Sequence, residues 1–322
     1  MTKAGTISTF QLFSILLLSR MTALFTFMLP TTGFLMSGDR ILTTLPLLML
    51  ELIFGFLSVY IINKSEKKSI ISAASSFSAV AGKAASIMYI ICFIWFAGIS
   101  VSRFELFIST VMFPNSELYL MTVILLAAAF YAALKGIEAL GRASVILSVI
   151  LTSSIVFIIL TVIENFEYTN LTPVLTQGFS PVIRFAFYVS ARAVEFITLY
   201  TAAPRVRGNI RKMTIIWTLL VSVLTAVILT VLSGVTGKYG DDQIFPLYTL
   251  TVIAKFGIFE RLDDILTGLW VLSTFIQITF LLVSGVLASE QGFGCNKKIT
   301  VLLIETTGIF FVYLLTSKTV TS

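Results

Sequence analysis

The sequence predicts an all-α polytopic membrane protein, and three observations carry that prediction. Apolar residues make up 57% of the 322 and charged residues only 12%, with a mean hydropathy of +1.00. A soluble domain carries about 25% charged residues. The apolar residues also come in runs long enough to cross a bilayer, which takes about 20 residues as a helix. Finally, lysines and arginines gather in alternate connections between those runs. The composition excludes a soluble enzyme, a nucleic-acid-binding domain and a disordered chain. A membrane β-barrel needs short alternating strands, and none are apparent. Residues 1–322 read as a single integral membrane domain, with no linker, low-complexity segment or soluble insert.

Nine spans are expected. The first is Ala4–Gly38 with Arg20 near its centre, and the second is Ile41–Ile62 with Glu51 near its centre. Ala85–Ser102, Leu118–Leu134 and Ala143–Ile163 follow, all free of charge. The sixth, Phe185–Pro204, holds Arg192 and Glu195. Met213–Gly237 and Ile265–Ser289 are again uncharged, and the ninth, Ile299–Ser317, holds Glu305. The start of the chain lacks the basic region and small-residue cleavage site of a signal peptide, so the first span is expected to be retained.

Orientation follows from the basic residues. With the N-terminus in the cytoplasm, Lys3, Lys64, Lys67, Lys68, Lys83, Lys135, Arg142, Arg205, Arg207, Arg211, Lys212, Lys297 and Lys298 fall inside. Only Arg40, Lys238, Lys255, Arg261 and Lys318 fall outside, a bias that supports a cytoplasmic N-terminus and, with an odd span count, an external C-terminus. The net charge of +6 therefore reports topology, with contact to lipid headgroups as the secondary reading, and no nucleic-acid partner is expected. In the outer loop 239–264, the apolar stretch Ile244–Ile258 is too short to span and reads as a re-entrant or interfacial helix.

The chemistry is limited by what is missing. Histidine is absent, which removes the commonest general base, metal ligand and physiological pH switch. Cys92 lies in an apolar run and Cys295 in a polar loop, so no disulfide framework is expected. There is no metal-ligand cluster, no Gly-x-Ser-x-Gly elbow and no phosphate-binding loop. No enzymatic activity, metal or cofactor is therefore expected.

What remains is a set of charges inside the membrane. Each costs about 2.5–3.5 kcal/mol at mid-bilayer on insertion scales, so it needs a partner or a wet cavity. Arg20 and Glu51 lie at similar depth on adjacent antiparallel spans. Arg192 and Glu195, three residues apart, can pair along one helical face, and Arg20 can reach Glu195 across the bundle. Arg103 and Glu105 sit at the outer end of the third span and, being two apart, point to different sides. Glu305 lies nearer the cytoplasmic end, within reach of the interface, and reads as structural. The other charges are either structural ion pairs or the lining of a ligand path. The first and sixth spans each carry mid-span charge followed by a proline, Pro30 and Pro204, and run in opposite directions. Paired interruptions of that kind point to a transporter-type binding site. The candidate ligand-contacting residues are Arg20, Thr22, Glu51, Arg192, Glu195 and the tyrosine that follows Leu199, Tyr200.

Several stretches then resemble a known family. ISTFQLFSILLLSRMTALFTFMLP, with Gln11 and the closing Leu29 and Pro30, is similar to the first span of the B-subunit of bacterial spore germinant receptors. That family of spore germination permeases is a branch of the amino acid–polyamine–organocation superfamily. VSRFELFISTVMFP resembles the end of its third span. Gly136, Ile137, Glu138 and Arg142 match its Gly-Ile-Glu…Arg segment, and Asn170, Leu171, Pro173, Val174 and Leu175 match its Asn-Leu-x-Pro-Val-Leu loop. Phe245, Pro246, Glu260, Arg261, Leu262, Asp263 and Trp270 match its Phe-Pro…Glu-Arg-Leu-Asp…Trp stretch.

The resemblance implies a five-plus-five inverted-repeat (LeuT-like) architecture with ligand held between the first and sixth spans. Here nine helices are counted, without a clear tenth, and Arg20–Leu24 contains no glycine where the superfamily commonly unwinds. It implies amino acids or similar germinants as ligands, A- and C-type receptor subunits as partners, and the spore inner membrane as location. Three functions follow as expectations: a receptor subunit that senses a small germinant, a secondary transporter of an amino acid or cation, and a non-transporting assembly subunit.

Overall fold

The structure, a computed structural model, describes residues 5–25, 38–65, 69–112, 118–241, 243–254, 263–294 and 298–320. The described chain is almost entirely helical. A two-residue strand β1 (Ile7–Ser8) leads into α1 (Thr9–Phe25), and a four-residue turn α2 (Asp39–Leu42) leads into α3 (Thr44–Lys64). Then come α4 (Ile70–Phe77), α5 (Ala79–Phe107) with a π-helical extension through Met112, α6 (Leu118–Lys135) and α7 (Ile137–Val162). The sixth expected span is two helices, α8 (Phe179–Ser190) and α9 (Val194–Ala202), followed by strand β2 (Val206–Arg207). α10 (Ile210–Thr236), α11 (Pro246–Ile253), α12 (Asp263–Phe293) and α13 (Lys298–Val320) complete the order.

Among the described residues, six helical stretches are long and apolar enough to cross a membrane, including Asp39–Lys64, Ala79–Met112 and Asp263–Phe293. Thr9–Phe25 and Tyr119–Lys135 are shorter apolar helices, and α8 with α9 lies where the remaining span was expected. The chain is thus an all-α polytopic membrane protein. Several helices overrun the apolar windows. α5 starts at Ala79 because Ser78 caps it, accepting from the Ala81 N–H at 3.0 Å, and Lys83 stands exposed on its first turns. Asn209 caps α10 in the same way, through the Lys212 N–H at 3.0 Å. α6 and α7 meet at one residue, Gly136, whose φ of +87° is open to glycine and strained for other residues.

α12 is the axis of the molecule. It packs against α1, α5, α6, α7 and α13, and 83% of its apolar window is buried inside the protein. The peripheral helices turn large apolar side chains outward instead, for example Ile53, Ile124, Leu160 and Phe311. In water that would be unfavourable; in a bilayer it is the lipid-facing surface.

Two ties hold the candidate site in place. β1 and β2 pair in parallel, Ile7 with Val206 and Ser8 with Arg207, so the entry to α1 is joined to the exit from α9. On the opposite face, the loop after α7 is stapled down. The Glu167 N–H and the Asn170 Nδ2 both donate to the Gly234 carbonyl, at 3.0 and 2.9 Å, and the Leu175 N–H donates to Asp39 Oδ1 at 2.6 Å. These bonds give the Asn170–Leu175 segment a structural role. Asp39 is 2% exposed, and Asp39→Ala should lower stability by about 1.5–3 kcal/mol through loss of a bond to a charged acceptor. Detergent-solubilised protein should show this as an earlier unfolding transition, together with faster proteolysis of the 166–178 loop; an unchanged transition would mean the staple contributes nothing.

Of Ile244–Ile258, the structure describes a helix over Pro246–Ile253. At 1.5 Å per residue it reaches about 12 Å, far short of a hydrocarbon core of about 30 Å. Residues 255–258 of that stretch lie outside the described residues, as do Pro30, Arg261 and Cys295.

Candidate functional site

Three of the expected residues converge. Arg20 on α1, Glu51 on α3 and Glu195 on α9 are 2%, 1% and 1% exposed. Arg20 Nη2 donates to Glu51 Oε1, and Arg20 Nη1 stands 4.0 Å from Glu195 Oε2, within ion-pair range. The cluster is completed by residues the sequence did not single out. Ser222 Oγ on α10 donates to Glu51 Oε2 at 2.9 Å, and Ser19 Oγ donates to Glu195 Oε1 at 2.8 Å. Gln277 Nε2 on α12 donates to the Ser19 carbonyl and Oγ, each at 3.3 Å. Gln277 was the one amide in an otherwise charge-free span, and that was the available signal. The trio holds one carboxylate more than it holds guanidinium, and Glu195 Oε2 has no hydrogen-bond partner.

The position of Glu195 follows from a break in the helix. α8 stops at Ser190, Ala191–Ala193 leave the helical path with Ala193 at ψ 67°, and α9 restarts at Val194. Glu195 therefore sits in the first turn of a half-helix, where the N–H ends of the peptide dipoles favour a carboxylate. The sequence suggested Pro204 as the interruption. In the structure Pro204 lies in the 3₁₀ turn that ends α9, so it terminates the span, and the break falls upstream where there is neither proline nor glycine.

The same break alters the expected Arg192–Glu195 pairing. The two residues no longer share a continuous helical face, and the ion-pair partner of Glu195 is Arg20. The Arg192 guanidinium lies 4.2 Å from the centre of the Tyr188 ring, with Nη1 buried and without a hydrogen-bond partner. Arg192 instead lines a cavity of about 80 Å³, together with Ala23, Phe96, Ile99, Ser100, Arg103, Val194 and Gln277. Arg103, placed by the sequence at the outer end of the third span, joins this cavity within electrostatic reach of Tyr188, while its near neighbour Glu105 accepts a 2.8 Å bond from the Tyr313 hydroxyl on α13. Thr22 Oγ1 donates back to the Leu18 carbonyl at 3.1 Å, and Tyr200 accepts from Ser58 Oγ at 3.0 Å, which ties α9 to α3.

Glu305 differs from expectation. Rather than reaching an interface, it is 1% exposed, and neither carboxyl oxygen has a hydrogen-bond partner. It packs against Gly285 so closely that a Cβ there would lie 1.4 Å from Oε1. Glutamine has the same shape and no charge to bury. Glu305→Gln should therefore accumulate in the membrane at least as well as the parent protein, and Glu305→Lys should not; a loss of abundance in Glu305→Gln would show that the carboxyl group itself is required.

Among the described residues, no group of three or more acidic or cysteine side chains is placed to hold a metal ion. What the arrangement offers is a cavity that mixes apolar walls with Ser100, Arg103, Arg192 and Gln277, beside a broken helix and next to a buried ion cluster.

The chain is 25% identical to spore germination protein KB of Bacillus subtilis (strain 168) over 218 residues, which is 65% of this chain and 58% of that protein. It is 22% identical to spore germination protein XB of Bacillus anthracis over 196 residues, 59% of this chain and 55% of that protein. The match thus spans a little over half the length of either relative. The family profile described as "Spore germination protein" covers residues 6–322, nearly the whole chain, and the chain belongs to that family of membrane proteins.

Proposed function

We propose that the protein is a permease-like subunit of a spore germinant receptor and that it binds a small, amino acid-like germinant in the bundle interior. The observation that carries this reading is the arginine-bearing cavity at the Ala191–Ala193 break, bordered by α1, α5 and α12 and adjoining the Arg20–Glu51–Glu195 cluster. A helix broken at mid-span exposes backbone and side-chain polar groups to a ligand, and such a break is tolerated where it lines a cavity. In this reading α1 and the α8–α9 pair occupy equivalent places in a five-plus-five repeat. The N-terminus faces the cytoplasm, and A- and C-type subunits carry the response onward in the spore inner membrane. The names of the two relatives support the germination role.

The test is Glu195→Gln, made in spores that depend on this protein for a nutrient response. Glutamine still accepts from Ser19 Oγ but carries no charge. The expected result is normal membrane abundance with the nutrient response lost. Normal abundance with a normal response would discard the site. Uptake of labelled amino acids by proteoliposomes separates the transporter reading, which requires flux, from the receptor reading, which requires binding without it.

A further inference from the structure

We infer that the cavity selects a ligand of net negative charge, a small dicarboxylate such as an acidic amino acid, through Arg103 and Arg192. The inference rests on the proposed ligand site and names its ligand class. Among the described residues, the polar groups lining the cavity are Ser100, Arg103, Arg192 and Gln277, so two cations and no carboxylate face it there. Arg192 Nη1 is buried without a hydrogen-bond partner, and the Tyr188 ring covers the face of that guanidinium, which leaves its N–H edge for an acceptor. Two like charges beside one low-dielectric space repel each other, and a single carboxylate would neutralise only one of them. A second carboxylate on the ligand neutralises the other, each taking a planar guanidinium fork.

The same cavity provides a place for an ammonium group. Gln277 Oε1 is a buried acceptor with no hydrogen bond, and Glu195, next to the lining residue Val194, has an Oε2 that accepts no hydrogen bond and meets only Arg20 at ion-pair distance. An acidic amino acid therefore offers a partner to every group named here that lacks a hydrogen bond. A neutral amino acid leaves one arginine uncompensated, and a basic one adds a third cation.

The experiment is ligand-dependent thermal stabilisation of the purified protein in detergent. The probes are L-glutamate, L-aspartate and succinate, set against L-glutamine, L-asparagine, L-alanine and L-lysine. The expected result is stabilisation by the dicarboxylates alone, with apparent affinity reduced about 10-fold to 100-fold in Arg103→Gln and in Arg192→Gln. Arg103→Lys and Arg192→Lys keep the charge and should recover part of the loss, which a purely structural role would not predict. Equal stabilisation by neutral amino acids would overturn the charge selectivity and leave the ligand site standing. No stabilisation by any probe would overturn both. Dicarboxylate binding unaffected by either arginine variant would place the anion elsewhere.

Discussion

Arg20→Gln is expected to remove most of the protein from the membrane. The substitution leaves Glu51 and Glu195 buried with no counter-charge, and an uncompensated buried charge costs about 3–5 kcal/mol. Most proteins have only about 5–15 kcal/mol of stability in total, so the loss is a large share. Glu51→Gln leaves Arg20 with Glu195 at 4.0 Å and should be milder, because the remaining pair is still electrically matched. The double variant Arg20→Gln/Glu51→Gln removes one charge of each sign and should recover abundance relative to Arg20→Gln alone. Membrane fractionation with immunodetection of the tagged protein reads all three. If the double variant is no better than Arg20→Gln, the two residues are not energetically coupled. Ligand response is a separate measurement, because Glu195→Gln lowers the negative charge of the cluster and should leave assembly intact.

Gly234→Ala should destabilise the protein by about 1–3 kcal/mol, the usual cost of forcing extra volume into a packed site. A Cβ at Gly234 would lie 2.1 Å from Cε2 of the Phe166 ring, with two further ring atoms within 2.6 Å. Alanine is a better helix former than glycine by about 1 kcal/mol, yet an overlap of that size with a ring outweighs the gain. The ring belongs to the loop whose Glu167 and Asn170 donate to the Gly234 carbonyl, so displacing Phe166 also strains those bonds. Adding Phe166→Ala should restore part of the stability, and a double-mutant cycle on the unfolding midpoint measures the coupling. A Gly234→Ala midpoint equal to or above that of the parent protein would mean that the loop moves away without cost.

The location of the helices was legible in the sequence because crossing a bilayer is a local requirement. A run of apolar residues of sufficient length satisfies it without reference to any other part of the chain. Composition and loop charge therefore marked the helical spans, and Arg20, Glu51 and Glu195 stood out because a charge in such a run needs a partner. Helix ends were less legible, since caps such as Ser78 and the tolerance of an exposed Lys83 extend α5 beyond its apolar core.

Pairing was set by the packing of the bundle. The sequence allowed Glu195 either Arg192 on its own helix or Arg20 across the bundle. The choice fell to Arg20 because the chain leaves the helix at Ala191–Ala193, a break that neither proline nor glycine announces. That break also sends Arg192 to the cavity that Arg103 reaches from α5, two residues whose numbers differ widely and whose proximity no local pattern encodes. Gln277, Ser19 and Ser222 joined the cluster for the same reason. The two serines are ordinary on their own helices and Gln277 stands out only as the one amide of its span; their role as partners arises when α1, α10 and α12 come together and a buried charge must find its hydrogen bonds.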